Sequence, residues 1–191
     1  MKKCISVFLA ALLLLSLAAC GGKEKPAEPK PDESAVESAL DLLTQVWDSY
    51  ADDERFSAVG GDMEGELATD MPGRFKADDA QALDSRLGLP AASVDKIDEA
   101  ASLIHMLNAN TFTCGAFHVK DAGDVDELAA AIKDNLQQRH WMCGFPEKLV
   151  IVKLDSYVVS VFGHTEPVDT FVSHLSEVFP TAETAYDEPI M

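Results

Sequence analysis

The positions of the apolar side chains predict four helices. In the first, apolar residues recur at steps of three and four, which places them on one helical face: Val36, Ala39, Leu40, Leu43, Val46, Trp47 and Tyr50. Ser34 and Glu37 match a capping box ahead of this face, and the acidic run after Ala51 predicts that the helix ends near there. The same spacing predicts a helix over 77–87, which ends at Gly88. It also predicts helices over 125–136 and 168–178, which begin at Asp124 and Thr165.

A second pattern, rich in β-branched and aromatic residues, predicts strands. The segments 148–154 and 157–162 flank Asp155-Ser156, and this spacing is typical of a β-hairpin with a two-residue turn. Its register puts six apolar side chains on one face, while Lys153 and Ser160 give the other face a mixed character. The segment 111–119 predicts another strand after a turn at 108–110. The segment 94–107 fits either a helix or a strand.

The remaining segments show no clear period. Glycine and proline interrupt 56–76, so we expect irregular chain there, and we expect a loose tail over 181–191. The pattern as a whole predicts a single α+β domain over 34–180. In that domain short antiparallel strands, including the C-terminal hairpin, pack with about four helices.

The N-terminus carries an export pattern. Lys2 and Lys3 precede fifteen largely apolar residues, 5–19, which as a helix would reach only roughly 22 Å, short of a membrane span. This is typical of a signal peptide over 1–19. The order Leu17-Ala18-Ala19-Cys20 resembles the lipobox of bacterial lipoproteins, which implies lipid on Cys20 and anchoring at the extracytoplasmic face of the cell membrane. Residues 20–33 are rich in charge and proline and predict a flexible tether.

Composition narrows the classes of function. Removing Lys2 and Lys3 with the signal peptide changes the net charge from −18 to −20, a surface that repels nucleic acid and anionic headgroups. We therefore expect the membrane, through the lipid on Cys20, as a partner and no nucleic acid. The 47% hydrophobic content is too high for wholesale disorder.

Cys114 and Cys143 are the cysteines left in the mature domain once Cys20 is lipidated. They form neither a C-x-x-C nor a zinc pattern. An exported location favours a disulfide between them, which would stabilise the fold by about 3–4 kcal/mol on the chain-entropy model. Two buried free thiols are the alternative, since cysteine is among the most buried residue types.

With these segments placed, the chain resembles a family of small bacterial surface lipoproteins known only as a domain of unknown function. The resemblance covers most of 34–180 and implies a surface lipoprotein with a mixed α+β domain, without assigned catalytic or binding residues. It rests on the lipobox and on five short strings: Gly60-Gly61-Asp62, Ala100-Ala101-Ser102-Leu103, Asn108-Ala109-Asn110-Thr111-Phe112-Thr113-Cys114-Gly115, Trp141-Met142-Cys143-Gly144-Phe145-Pro146 and Val168-Asp169-Thr170-Phe171.

Two groups of side chains are candidates for metal or catalytic sites. Asp62, Glu64, Glu66 and Asp70 crowd one loop, but the EF-hand order of ligands fails, so a solvated acidic loop is preferred to a calcium site. The five histidines match no metal-binding or nucleophile motif, and structural or exposed roles are preferred for them: His105, His118, His140, His164 and His174. We therefore expect no catalytic residue, metal or cofactor.

The two tryptophans separate into a core residue and a surface residue. Trp47 fits the core stripe of the first helix, whereas Trp141 lies in a connecting segment and is the better candidate to line a ligand cleft. The favoured hypothesis is a non-enzymatic lipoprotein that binds a ligand or partner. The alternatives are a thiol-disulfide protein using Cys114 and Cys143, and a hydrolase, which the absence of a nucleophile motif disfavours.

Overall fold

The structure is a computed structural model that describes residues 36–62, 65, 67–142 and 144–190. The predicted signal peptide, Cys20 and the tether lie outside the described residues, as do Glu64, Glu66 and Cys143. Predictions that fall on these residues stay predictions. Among the described residues, no helix is long and apolar enough to cross a bilayer.

Helices lie between groups of one to three strands along the described chain. A π-helical turn, Leu83–Leu87, continues α2, and short 3₁₀ turns lie at Ala91–Lys96 and Ala122–Asp124. The helices and strands in chain order are α1 (Ala39–Asp48), β1 (Ala58–Gly60), β2 (Ala68–Thr69), β3 (Gly73–Phe75), α2 (Ala80–Ala82), β4 (Ile97–His105), β5 (Phe112–Val119), α3 (Val125–Gln137), β6 (Lys148–Leu154), β7 (Tyr157–Gly163), α4 (Thr165–Val178) and β8 (Glu183–Pro189).

Eight strands of the described chain form one antiparallel sheet in the order β2-β1-β4-β5-β7-β6-β8, and β3 pairs with β4 beside β1. The predicted α+β class is therefore confirmed. The ambiguous segment 94–107 divides between a 3₁₀ turn and the strand β4. Because β4 bonds to β5 on one edge and to β1 and β3 on the other, it lies inside the sheet.

Helices cover both faces of the sheet. On the first face, α1 and α4 bury apolar side chains against Leu103, Phe112 and Val159. On the second face, α3 and the π-helical turn pack on Phe117, Ile151 and other apolar residues. Each strand therefore places alternate side chains in two separate cores, as its period of two requires.

The β6–β7 hairpin forms with the predicted turn and register. Leu154 pairs with Tyr157 and Val150 with Val161, and Asp155 in the turn has a φ of 49°. The second face carries Lys153 and Ser160, as predicted, and it is also covered by the second core, because Leu149, Ile151, Val158 and Phe162 are buried there. Lys153 reaches the margin of this face, and Ser160 is buried within it.

Two helix starts differ from the predicted caps. The first helix begins at Ala39, where the Ser38 hydroxyl accepts a hydrogen bond from the Asp41 N–H (3.0 Å). Val36 and Glu37 precede it, so the capping box at Ser34 and Glu37 is wrong, and the helix ends at Asp48 instead of near Ala51.

In α4 the N-cap is His164, and Thr165 is the first helical residue. Glu147 caps this end from another segment, because its Oε2 accepts hydrogen bonds from the Thr165 N–H (2.8 Å) and hydroxyl (2.9 Å). These two bonds lower the pKa of the Glu147 carboxyl.

Two segments predicted to be irregular form strands. In 56–76, β1 and β3 meet where a Cβ on Gly60 would lie 2.0 Å from the Gly73 nitrogen, so glycine is required for their close approach. At the C-terminus, β8 pairs with β6, and the expected loose tail over 181–191 is therefore wrong for Glu183–Pro189. Pairing with a neighbouring strand orders a segment whose own sequence shows little apolar pattern.

Candidate functional site

A cleft of about 320 Å³ opens on the second face of the sheet, at the end where β4 finishes and β5 begins. We call it the Trp141 cleft. The sheet supplies Ile104, Thr113 and Phe162, and the β4–β5 turn supplies Ala109 and Asn110. Its other walls come from the π-helical turn and from the segment after α3, and consist of Ser85, Arg86, Arg139, His140, Trp141 and Met142.

The π-helical turn is held in place by side chains from α3 and the segment after it. The Arg139 guanidinium donates to the Asp84 carbonyl and to the Ser85 carbonyl (3.3 Å), both within the turn. The Asn135 amide donates to the Gly88 carbonyl (3.0 Å), where Gly88 ends the turn at a φ of 80°. Partial burial lowers the pKa of Arg139, against the opposing effect of Asp84. The turn is therefore anchored, and it directs Ser85 and Arg86 to the cleft.

Trp141 forms an aromatic wall of the cleft. Its ring packs on Phe162 at a centroid distance of 5.6 Å, and the Arg139 guanidinium lies 5.2 Å from the Trp141 ring centroid. Its indole N–H is buried and has no acceptor among the described residues, and an unpaired buried donor lowers the stability of the fold. Trp47, by contrast, is a core residue as predicted, and its indole donates to the Asp70 carbonyl (3.0 Å).

The charge of this cleft differs from that of the chain. The chain has 33 acidic residues against 15 Lys and Arg, yet none of the described residues that line the cleft is acidic. Arg86 and Arg139 are two of the four arginines. Arg139 is engaged with backbone carbonyls, whereas Arg86 has no carboxylate partner among the described residues and lies 5.8 Å from the Phe75 ring centroid. Arg86 is therefore the guanidinium free to meet a ligand.

Exposed apolar side chains lie on the two loops that contribute residues to the cleft. Met142 is 92% exposed, Leu107 84% and Phe145 71%. The loops that carry them are joined by the Asn110 amide, which donates to the Gly144 carbonyl (3.2 Å). The cleft therefore has an apolar rim on a surface that is otherwise dominated by charge.

Two further clefts lie at the opposite end of the sheet and have acidic walls. One contains Asp78, Asp95 and Asp98 with Lys120. The other contains Asp126, Asp155 and Glu183 with Lys153, and Lys153 pairs with Asp126 at 2.8 Å and Glu183 at 3.5 Å. We call these two ends of the sheet the cleft end and the acidic end. The helix α1 begins at the acidic end, where the Ala39 N–H donates to Glu99 (3.1 Å).

Cys114 lies on the first face of the sheet and has no disulfide partner among the described residues. It is fully buried, and burial raises its pKa, which suppresses the thiolate needed for exchange chemistry. Cys143 lies outside the described residues. The predicted disulfide between the two therefore stays a prediction.

The acidic loop contributes structural contacts from its described members. The Asp70 carboxylate accepts from the Ala58 N–H (3.3 Å) and Asp62 from the Lys76 N–H (3.1 Å). No group of three or more His, Cys, Asp or Glu residues within the described ranges is arranged to hold a metal ion.

Four of the histidines lie away from the Trp141 cleft. His105 stacks on Phe56, His118 pairs with Asp98 at 2.5 Å, and His164 caps α4. His140 alone of the five lines the cleft.

His174 lies between a serine and a glutamate. Its Nδ1 is 2.9 Å from the Ser49 hydroxyl and its Nε2 3.3 Å from Glu54. This order resembles a hydrolytic triad, but Ser49 caps the C-terminus of α1 and donates to the Val46 carbonyl (2.6 Å). The carbonyl end of a helix would repel a developing oxyanion. The arrangement therefore ties α1 to α4 without the chemistry of a hydrolase.

Comparisons of the chain with protein-family models, curated proteins and solved structures give no match. The resemblance to the surface-lipoprotein family stays a prediction from the quoted motifs. The function of the cleft is therefore inferred from the residues that line it.

Sequence reasoning identified Trp141 as a cleft candidate but missed Ser85, Arg86 and Phe162. The scarcity of arginine was an available signal, since two of the four arginines lie here, Arg86 in the π-helical turn and Arg139 just after α3. The hydrophobic pattern could not find Phe162, because a cleft floor and a core have the same apolar composition.

Proposed function

We propose that the protein is a lipid-anchored lipoprotein of the extracytoplasmic face, and that its domain binds a small ligand in the Trp141 cleft. The observation that carries the proposal is a concave site with an aromatic wall, an apolar rim and an arginine that has no ion-pair partner among the described residues. Binding sites for small molecules combine such apolar walls with a few polar groups. The export pattern ending in Cys20 supports the location.

The alternative of a thiol-disulfide protein is less well supported. Reactive cysteines are partly exposed and have a lowered pKa. Cys114 has the opposite properties, since it is fully buried and its pKa is raised. The binding module is therefore preferred.

Binding is tested with an uncharged aromatic probe, 2-naphthamide, on the full chain in phospholipid nanodiscs. Isothermal titration calorimetry, with protein-free nanodiscs subtracted, should detect binding that Trp141→Ala abolishes. Phe145→Ala is the matched control, because Phe145 is exposed beside the cleft without lining it. Equal binding to both variants would contradict the assignment of the site.

Location is tested separately by replacing Cys20 with serine. Lipid on a cysteine anchors the chain to the membrane, so Cys20→Ser should release the protein from the membrane fraction and abolish incorporation of labelled fatty acid. A membrane fraction and lipid label unchanged by Cys20→Ser would contradict the lipid anchor.

A further inference from the structure

We propose that the ligand of the Trp141 cleft is a small organic anion: a carboxylate, sulfonate or phosphate joined to a flat apolar body. This inference rests on the proposed function and specifies its ligand. The walls of the cleft suit the two parts of such a ligand. Arg86 contacts the anionic group, and Trp141, Met142 and Phe162 contact the apolar body.

The Trp141 cleft and the two clefts at the acidic end differ in charge. The domain is strongly acidic, and each of the two clefts at the acidic end has three carboxylates and one lysine in its walls. The Trp141 cleft instead has two arginines and His140, without a carboxylate among its described lining residues. A cleft with walls of one sign concentrates ligands of the other sign, and here that sign favours anions.

The two arginines of the cleft differ in the hydrogen bonds and ion pairs that they make. Arg139 donates to the Asp84 and Ser85 carbonyls and has Asp84 Oδ1 at 3.8 Å, so its donors serve the π-helical turn. Arg86, on that turn, makes no ion pair with any described residue, and it is half-buried at the cleft wall. A guanidinium has a planar set of donors that matches an anionic oxygen group, and pairing with a ligand would satisfy it.

The apolar walls of the cleft suit the apolar part of the ligand. Trp141 is kept at a position where its indole N–H finds no acceptor among the described residues, so its ring surface is the part of the side chain in use. That ring, Phe162 and Ile104 provide flat and aliphatic surface beside the polar groups Ser85 and Asn110. A purely inorganic anion would leave this apolar surface uncovered.

The test compares 2-naphthoate with the nearly isosteric, uncharged 2-naphthamide on the full chain in nanodiscs. The expected preference for naphthoate is about tenfold or more, because a hydrogen bond to a charged group contributes more than one to a neutral group. Arg86→Gln should remove the preference by weakening naphthoate alone, and Arg86→Lys should keep part of it. Arg74→Gln is the matched control, since Arg74 is exposed on β3 and does not line the cleft.

The outcomes separate this inference from the proposed function. If naphthamide binds as tightly as naphthoate and Trp141→Ala abolishes both, the cleft is a binding site and the anion preference is wrong. If Arg86→Gln leaves the preference unchanged, the assignment of Arg86 is overturned. If neither probe binds, both the proposed function and this inference fail. Circular dichroism and urea unfolding of each variant show whether it is folded.

Discussion

The cleft end and the acidic end belong to one sheet but differ in chemistry. At the cleft end, Arg86 and Arg139 meet aromatic side chains and no described carboxylate lines the cleft. At the acidic end, Lys120 and Lys153 lie among aspartates and glutamates. In a chain with an excess of carboxylates the acidic end follows from composition, whereas the cleft end departs from it. That departure makes the cleft informative about function.

Helix α1 extends from the acidic end of the sheet towards the cleft end. Helix α1 begins at the acidic end and runs along the first face, so that Trp47 in its last turn contacts the Asp70 carbonyl near the cleft end. The described residues 36–38 therefore lie near the acidic end. The Trp141 cleft lies at the other end, on the other face of the sheet.

The largest expected effect comes from the floor of the cleft. Phe162→Ala should lower the free energy of unfolding by about 3–5 kcal/mol, because Phe162 is buried in the second core as well as lining the cleft. Urea unfolding followed by circular dichroism measures it. Met142→Ala, at the exposed rim, should stay within about 0.5 kcal/mol of the unchanged protein. Similar losses for both variants would mean that rim and floor are not distinct.

Arg139 tests whether the wall of the cleft depends on its hydrogen bonds. Arg139→Ala should cost about 1–3 kcal/mol, because it removes the guanidinium that donates to the carbonyls of Asp84 and Ser85. The same urea experiment on Arg86→Ala is the control and should show a smaller loss, since Arg86 makes no hydrogen bond to the described chain. A larger loss for Arg86 would reverse the roles assigned to the two arginines.

The buried groups Cys114 and Tyr50 should make the stability of the protein depend on pH in the alkaline range. Burial raises the pKa values of Cys114 and Tyr50, so above their ordinary pKa values the unfolded state holds fewer protons than the folded state. Stability should therefore fall by about 1.4 kcal/mol per pH unit per group, for Cys114 from about pH 8.5 and for Tyr50 from about pH 10. Urea midpoints measured from pH 7 to 11 check this.

Cys114→Ala should delay the fall in stability to about pH 10, where Tyr50 ionises in the unfolded state. If Cys114 and Cys143 form the predicted disulfide, Cys114 does not titrate and the two proteins lose stability in parallel from that pH upward. Thiol labelling of the unfolded, non-reduced chain then gives a direct check on the bond.

The smallest effect is expected at the acidic end. Lys153 pairs with Asp126 and Glu183, and Lys153→Gln should cost at most about 1 kcal/mol, because the carboxylates of these pairs are exposed to solvent. Added salt should reduce the difference between the two proteins by screening the repulsion that remains. Thermal unfolding at 20 mM and 500 mM sodium chloride measures it. A loss that does not change with salt would show that Lys153 acts through packing.

The local pattern of the sequence was sufficient where one segment determines its own structure. The hairpin turn at Asp155-Ser156, the buried stripe of α3 and the helix stop at Gly88 all follow from spacing within a single element. The core position of Trp47 follows in the same way. Such features depend on periods and turn residues that act over a few positions.

Tertiary structure decided the features that depend on a distant partner. The tail became β8 because β6 offers it a free edge, and the second face of the hairpin is covered because α3 packs on it. The cleft depends on this kind of contact too, since Arg139 anchors the turn that carries Arg86, more than fifty residues away. The sequence by itself determined the export pattern, the acidic surface and the helical and strand periods. Which side chains share a cleft was decided only by packing, because local periods contain no information about contacts between distant segments.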